Sequence, residues 1–306
     1  MNKTIYLFDK DCEYNIKKVN GNIAFYNGET LKYRFPYGDV GSIVLFNNTQ
    51  LTVPCIKMLL ENEIDVLYCD YGGRLIARLE SYRKKNIKLR LSQYRISLSE
   101  EKTLAMAKYF FNEKITAQYK FLYRLSERKK ITTEYIKYKE FAMQAKTVSA
   151  LLGIEGYFAE YYFGKYFGLF KYYKPAKRTR RPAEDTVNSL MNLCYTLTSS
   201  YITINLSAEG FDCSIGYLHS LQEERDNLTC DVIEIFRSKC DAFILKLFNR
   251  KEFTANDFYG KEKNFYLKKD AYKKFLLKYN DEFLIISDME EIIKKLAMKI
   301  TEMADE

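Results

Sequence analysis

The sequence predicts an α+β protein: a small N-terminal β-rich domain followed by a larger, mostly α-helical domain. Three observations predict it. Before residue 80 there are short β-branched and aromatic segments separated by turn formers; after residue 100 the apolar residues recur at helical spacing; between them runs RKKNIKLR, charged and free of Gly and Pro. We place the boundary at that run, dividing the chain into 1–82 and 83–306. With 306 residues, 47% of them hydrophobic, there is enough apolar side chain to fill a core in each part.

In the first part TIYLF, GNIAFYN, SIVLF and DVLYCD read as strands. Thr52 followed by Pro54 starts the one helix of this region, TVPCIKMLLENE, and Gly72-Gly73 supplies a tight hairpin turn. In the second part Leu104, Ala107, Phe111, Ile115, Tyr119 and Leu122 form one apolar stripe on a long helix. A further helix is expected over roughly 134–152, interrupted at GIEGYFAEYYFGKYFG by Gly153 and Gly156. The basic segment KPAKRTRRP then leads through Pro182 and Asp185 into another helix, and the Lys-rich tail is amphipathic. This part is expected to be almost all helix.

Forty-nine Lys and Arg against forty Asp and Glu leave a formal charge of +9, which favours an anionic partner. The seven cysteines contain no C-x-x-C pair, as expected of a reduced, intracellular chain. The opening MNKTIYLFDKD meets acidic residues before any signal-peptide core, and no run of about 18 apolar residues occurs. The expected location is cytoplasmic, with no membrane partner.

A single histidine, His219, excludes H-E-x-x-H and three-histidine zinc sites built from one chain. The G-x-S-x-G elbow, the G-x-x-x-x-G-K-[ST] loop and the G-x-G-x-x-G fingerprint are also missing. What remains is carboxylate chemistry with one imidazole. Asp231 and Glu234, in CDVIEIF, lie about 60° apart on a helix, one turn from each other. Their repulsion is offset either by a divalent cation or by Arg237, one turn further on. Oxygen and imidazole donors together suit Mg²⁺ or Mn²⁺. Glu155, between two glycines beside the stripe Ile154, Phe158 and Tyr162, is either a charge kept for function at the edge of a buried face or a helix-start carboxylate. His219 is either a ligand or a buried, hydrogen-bonded imidazole.

The ordered motifs LLGIEGYFAEYYF, RRPAEDTVNSLMNLCYTL, GYLHS and LTCDVIEIFR resemble those of the CRISPR-associated adaptation integrases, the first-numbered Cas proteins. The similarity of order and spacing covers about 90 residues, and the β-rich opening with a helical remainder extends it over nearly the whole chain. The resemblance implies that Glu155, His219 and Glu234 are metal ligands for Mg²⁺ or Mn²⁺, with Asp231 assisting one turn away. It implies an endonuclease and integrase that joins the 3′-hydroxyl ends of short foreign DNA fragments to the repeat of a CRISPR array by transesterification. It further implies a homodimer formed through the β-rich domain, and a small second adaptation protein as partner.

With double-stranded DNA as the expected partner, Lys177, Arg178, Arg180, Arg181, Arg225 and Arg237 are the candidate phosphate contacts, binding backbone more than sequence. Asn188 reads as a structural polar residue. Two alternatives use the same residues: a transposon-type integrase of the same family, and a catalytically silent DNA-binding scaffold in which the carboxylates merely pair with Arg237.

Overall fold

The computed structural model describes residues 3–7, 13–46, 48–70, 73–79, 86–125, 128–180, 182–219, 225–261, 263–284 and 288–305. The chain divides into two compact units, Met1–Lys84 and Lys85–Glu306.

Among its described residues the first unit holds eight strands, β1 (Lys3–Leu7), β2 (Tyr14–Val19), β3 (Asn22–Asn27), β4 (Thr30–Pro36), β5 (Val40–Leu45), β6 (Thr49–Leu51), β7 (Asp65–Cys69) and β8 (Leu75–Leu79), and one α-helix, α1 (Val53–Glu61). They form two four-stranded sheets, ordered β1-β5-β7-β8 and β4-β3-β2-β6. β5 pairs in parallel with both β1 and β7, so it is a central strand, and all of VGSIVL except Gly41 is buried. Its Ile43 and Leu45 pack with Ile16, Ile23, Phe25, Cys55, Leu59 and Val66 in one core. The four segments expected as strands are β1, β3, β5 and β7. The sequence pattern did not reveal β2, β4, β6 and β8, because β4 is exposed almost throughout, β6 has three residues, and YNIKKV and LIARL carry charges. α1 starts as expected, with Thr52 in extended conformation and Pro54 in its first turn. Gly72 lies outside the described residues. Gly73 has φ +82°, and its N–H donates to Asp70 O (2.9 Å), closing the turn from β7 to β8.

The second unit is mainly helical: α2 (Ile87–Ser97), α3 (Glu100–Leu125), α4 (Arg128–Gln144), α5 (Val148–Phe167), α6 (Thr186–Glu209), α7 (Asn227–Asn249), α8 (Lys269–Lys278) and α9 (Met289–Asp305). The expected long stripe lies on α3. The unit is mostly helix, as expected, with one short antiparallel hairpin of Phe258–Lys261 (β9) and Lys263–Leu267 (β10). One expectation needs correction: Gly153 and Gly156 do not interrupt a helix. α5 runs through both, and the break falls at 145–147, where the Thr147 hydroxyl accepts the N–H of Ala150 (3.1 Å) as an N-cap. Each glycine costs about 1 kcal/mol of helix propensity, which Leu151, Phe158, Tyr162 and Tyr166, buried on one face of α5, outweigh. Among the described residues no helix is long and apolar enough to cross a membrane.

Candidate active site

α3 packs against both α5 and α7, α5 and α7 meet through hydrogen bonds of Tyr162 and Tyr166 to Asp241, and the three helices carry the charged cluster. On α5, Glu155 falls in the buried stripe between Leu151 and Phe158, at the spacing where another apolar residue would be expected. It is eight residues into the helix, beyond the first turn over which the N-terminal dipole acts, so the helix-start reading does not hold. A Cβ added at Gly153 or Gly156 would meet nothing within 4 Å, which leaves this flank of Glu155 bare.

On α7, Asp231 and Glu234 do not share a partner. Asp231, fully buried, accepts three consecutive backbone N–H groups: Tyr217 (2.5 Å) and Leu218 (3.0 Å) at Oδ2, and His219 (2.8 Å) at Oδ1. Its Oδ1 also lies 2.7 Å from Nδ1 of His219. A carboxylate so placed fixes Nδ1 as the protonated nitrogen and leaves Nε2 as the ring's donor atom. Asp231 therefore positions His219 and does not itself face solvent. The turn it holds is seated by Gly216, where an added Cβ would come within 2.7 Å of the Asn227 backbone.

Glu234 points instead toward two cations. Its Oε1 accepts Nε of Arg237 (2.8 Å), and its Oε2 is 2.6 Å from Nζ of Lys114 on α3. The same ammonium pairs with Oε1 of Glu155, so the two carboxylates, from different helices, converge on one positive charge. Burial pushes the Glu234 carboxyl up, but Arg237, Lys114 and His219 more than reverse this and hold it at about 2. Oε2 is buried and its partner is the Lys114 ammonium; a carboxylate oxygen has two lone pairs, so this one ion pair does not exhaust it. Lys114 was not anticipated. The signal was a lysine, followed by Gln118, on the buried face of α3 between Phe111 and Leu122.

Among the described residues no three His, Cys, Asp or Glu side chains lie close enough together to form a ready metal cage. The donor chemistry nevertheless fits a divalent cation: two carboxylates from different helices already face one positive charge, and the nearby imidazole presents Nε2.

The expected phosphate contacts separate into two groups. Lys177, Arg180 and Arg225 are exposed; Lys177 lies 3.7 Å from Glu184, and Arg225 Nε donates to Cys230 Sγ (3.1 Å). Arg181 lies outside the described residues. Arg178 and Arg237 have their guanidinium groups engaged within the fold. Arg178 donates to Asn188 Oδ1 (2.9 Å), Asn192 Oδ1 (2.7 Å) and the Thr179 carbonyl, and burial lowers its pKa. Both arginines stack on Tyr195, at 5.3 and 4.8 Å. Asn188 is the structural residue expected: fully buried, it accepts from Thr179 N (3.0 Å) and donates to Lys177 O (2.9 Å) and Asp185 Oδ2 (2.6 Å), closing the basic loop onto α6. Behind it the buried carboxylate of Asp241 accepts from the hydroxyls of Tyr162 (2.7 Å) and Tyr195.

Fold and site together define a class: an α+β chain whose helical part gathers carboxylates from two helices, a carboxylate-held imidazole and a buried lysine. The sequence model of the family described as CRISPR associated protein Cas1 matches residues 5–281, and the chain belongs to that family. It is 31% identical over 294 residues to a CRISPR-associated endonuclease Cas1 of Thermodesulfovibrio yellowstonii, covering 89% of this chain and 88% of the relative. Among solved structures it is similar to a Cas1 protein from Thermotoga maritima (TM-score 0.84, 24% identity, 99% of this chain and 97% of the other). It is also similar to a casposase bound to integration product (0.80, 18%, 99% and 91%) and to a Cas6-RT-Cas1–Cas2 complex (0.78, 20%, 98% and 35%). At these identities the structural likenesses establish the fold.

Proposed function

We propose that this chain is a CRISPR adaptation integrase and metal-dependent DNA endonuclease, which joins the 3′-hydroxyl ends of short foreign DNA fragments to the repeat of a CRISPR array. The observation that carries this reading is the convergence of Glu155 and Glu234 on a single positive charge beside His219. Family membership and the endonuclease relatives support it.

Glu155, Glu234 and Nε2 of His219 would hold Mg²⁺ or Mn²⁺, which when bound polarises the attacked phosphodiester and favours the ionised 3′-hydroxyl. The chain's own residues prepare that site. Asp231 fixes the tautomer and direction of His219. Arg237 anchors one oxygen of Glu234 and leaves the other to Lys114, the ammonium it shares with Glu155. Lys114 balances the two carboxylates before the cation arrives. The DNA supplies the nucleophile, so no serine or cysteine is required. Lys177, Arg180, Arg181 and Arg225 contact phosphates, while Arg178 and Arg237 shape the loop and the site. The homodimer through the β-rich unit and a Cas2-type partner follow from the family resemblance, and the Cas1–Cas2 fold match supports the partner. The casposase likeness favours one second reading, a mobile-element integrase with the same chemistry.

The test is strand joining with supercoiled repeat-bearing target and the small partner present. A 3′-hydroxyl donor should give a covalent donor–target product, whereas a 3′-deoxy donor should give none and leave any metal-dependent hydrolysis intact. Glu155→Ala, His219→Ala and Glu234→Ala should each abolish joining and retain DNA binding. No joined product from the 3′-hydroxyl donor removes the integrase reading, and His219→Ala matching the parent at saturating Mn²⁺ removes the metal-site assignment. Mobile-element ends used in preference to the CRISPR repeat as substrate would select the second reading.

A further inference from the structure

α3 and α7 run parallel from the Lys114–Glu234 pair to a cavity of about 430 Å³ that is broadly open to solvent. Phe121, Arg124 and Leu125 of α3 and Ala242, Leu245, Lys246 and Asn249 of α7 line it, together with Arg250 and Lys171. Leu125 and Leu245 each lie eleven residues beyond the ion-paired residue of their helix, so the cavity sits about 16 Å along the same seam. Its volume is within the roughly 300–1,000 Å³ of small-molecule sites.

The lining combines an apolar wall with four cations and no carboxylate. Lys246 is held by Glu282 at 2.5 Å. Arg124, Lys171 and Arg250 are exposed and have no acidic partner among the described residues. Attraction to helix C-terminal carbonyls accounts for cations at the ends of α3 and α7. It does not account for Lys171, which is on a loop, or for the cavity between them. The loop of Lys171 is also built rigidly. Asn249 accepts the N–H of Lys171 (2.8 Å) and donates to Leu169 O (3.0 Å), and Lys251 caps the ring of Tyr172 at 4.2 Å. Three unpaired cations exceed the single charge of an internal phosphodiester and match a terminal phosphate of about −1.5 to −2. The apolar wall of Phe121, Leu125 and Leu245 suits the flat face of a base.

We propose that this cavity binds a nucleoside 5′-phosphate, with the phosphate on Arg124, Lys171 and Arg250 and the base against Phe121 and Leu125. It rests on the proposed DNA function only in taking the 5′-phosphorylated end of an unpaired strand as the source; free nucleotide is the other source of the same chemistry. The test is fluorescence anisotropy with the full chain and a 3′-labelled single-stranded decamer carrying either a 5′-phosphate or a 5′-hydroxyl. The 5′-phosphate should tighten binding by about tenfold, the value of one retained charge-assisted contact. Arg124→Gln, Lys171→Gln and Arg250→Gln combined should erase that preference. Equal affinity of the two decamers for the parent, or a preference that survives the triple substitution, overturns the proposal. Deoxyadenosine 5′-phosphate competing only weakly with the decamer assigns the site to strand ends; competing as well as the decamer, it assigns the site to free nucleotide. Strand joining by the parent is a separate measurement, so loss of the cavity assignment and loss of the integrase reading are told apart.

Discussion

Replacing Lys114 by Met removes the ammonium that Glu155 and Glu234 share while keeping most of its buried stem. Lys114 and Glu234 are both almost fully buried, and deleting one partner of such a pair costs about 3–5 kcal/mol, because the other charge stays desolvated. Arg237 remains on Oε1 of Glu234, which puts the expected loss at the lower end, about 3 kcal/mol. For a unit the size of Lys85–Glu306 each kcal/mol shifts Tm by about 2–4 °C, so metal-free Lys114→Met should melt roughly 6–12 °C below the parent. Mn²⁺ should then act differently on the two chains. In the variant a divalent cation replaces the missing charge and, at a hundredfold excess over Kd, returns about 2.7 kcal/mol. In the parent it must compete with the ammonium, so the shift is smaller. Differential scanning fluorimetry with and without Mn²⁺, with EDTA as control, reads both effects. A Tm deficit that is the same in EDTA and in saturating Mn²⁺ would refute the argument that Lys114 and the metal answer the same two carboxylates.

Burial raises the Asp241 carboxyl to about 6, against the hydrogen bonds of Tyr195 and Tyr162, which lower it. The folded state therefore binds this proton more tightly than the unfolded one, and the stabilisation is full below about pH 4 and lost as pH rises through 6. Asp241→Asn should flatten the stability profile over that window by about 3 kcal/mol relative to the parent, measured by urea denaturation at stepped pH; parallel profiles would contradict it. Arg178→Gln should cost about 1.5–3 kcal/mol of stability through its contacts with Asn188 and Asn192. Lys177→Gln and Arg180→Gln should leave stability alone and each reduce the slope of log affinity against log salt for duplex DNA by about 0.9; the reverse assignment would return Arg178 to the phosphate contacts. Gly153→Ala, adding a methyl to open space in a helix, should gain about 1 kcal/mol in chemical denaturation. Gly216→Ala, which collides with the backbone of Asn227, should lose stability, and a neutral result would mean that the 216–227 contact yields.

The overall division into β-rich and helical parts was legible because periodicity is local: GNIAFYN and the α3 stripe each declare themselves within a few turns or residues. The glycines of α5 were misread for the same reason. Locally Gly153 and Gly156 argue against a helix, and only the packing of Phe158, Tyr162 and Tyr166 reverses that. Glu155, His219, Asp231 and Glu234 were legible as candidates through ordered motifs, but their division of labour was not. Whether Asp231 holds the 217–219 backbone or a substrate depends on contacts 12–14 residues apart. Lys114 depends on contacts between helices, 41 residues away for Glu155, and Arg178 on contacts 10 and 14 residues away across a loop, which no spacing rule reports. A lysine on an apolar stripe was the visible sign in one case; for Arg178, among five basic residues in KPAKRTRRP, there was none.

The clamp around Asp231 ties the backbone and the ring of the histidine to one helix. Residues 213–216 are stapled to the start of α7 by Leu228 N–H to Cys213 O (2.9 Å), by Asn227 Nδ2 to Ser214 O (3.0 Å) and by the Gly216 contact. The chain leaves that staple at 217 and is caught at once by the aspartate through 219. α7 is thus the jig for His219 as well as the carrier of Glu234, so imidazole and carboxylate travel as one body. A slide of α7 past α5 would change only their separation from Glu155, which makes the seam between those two helices the place where this site can open or tighten.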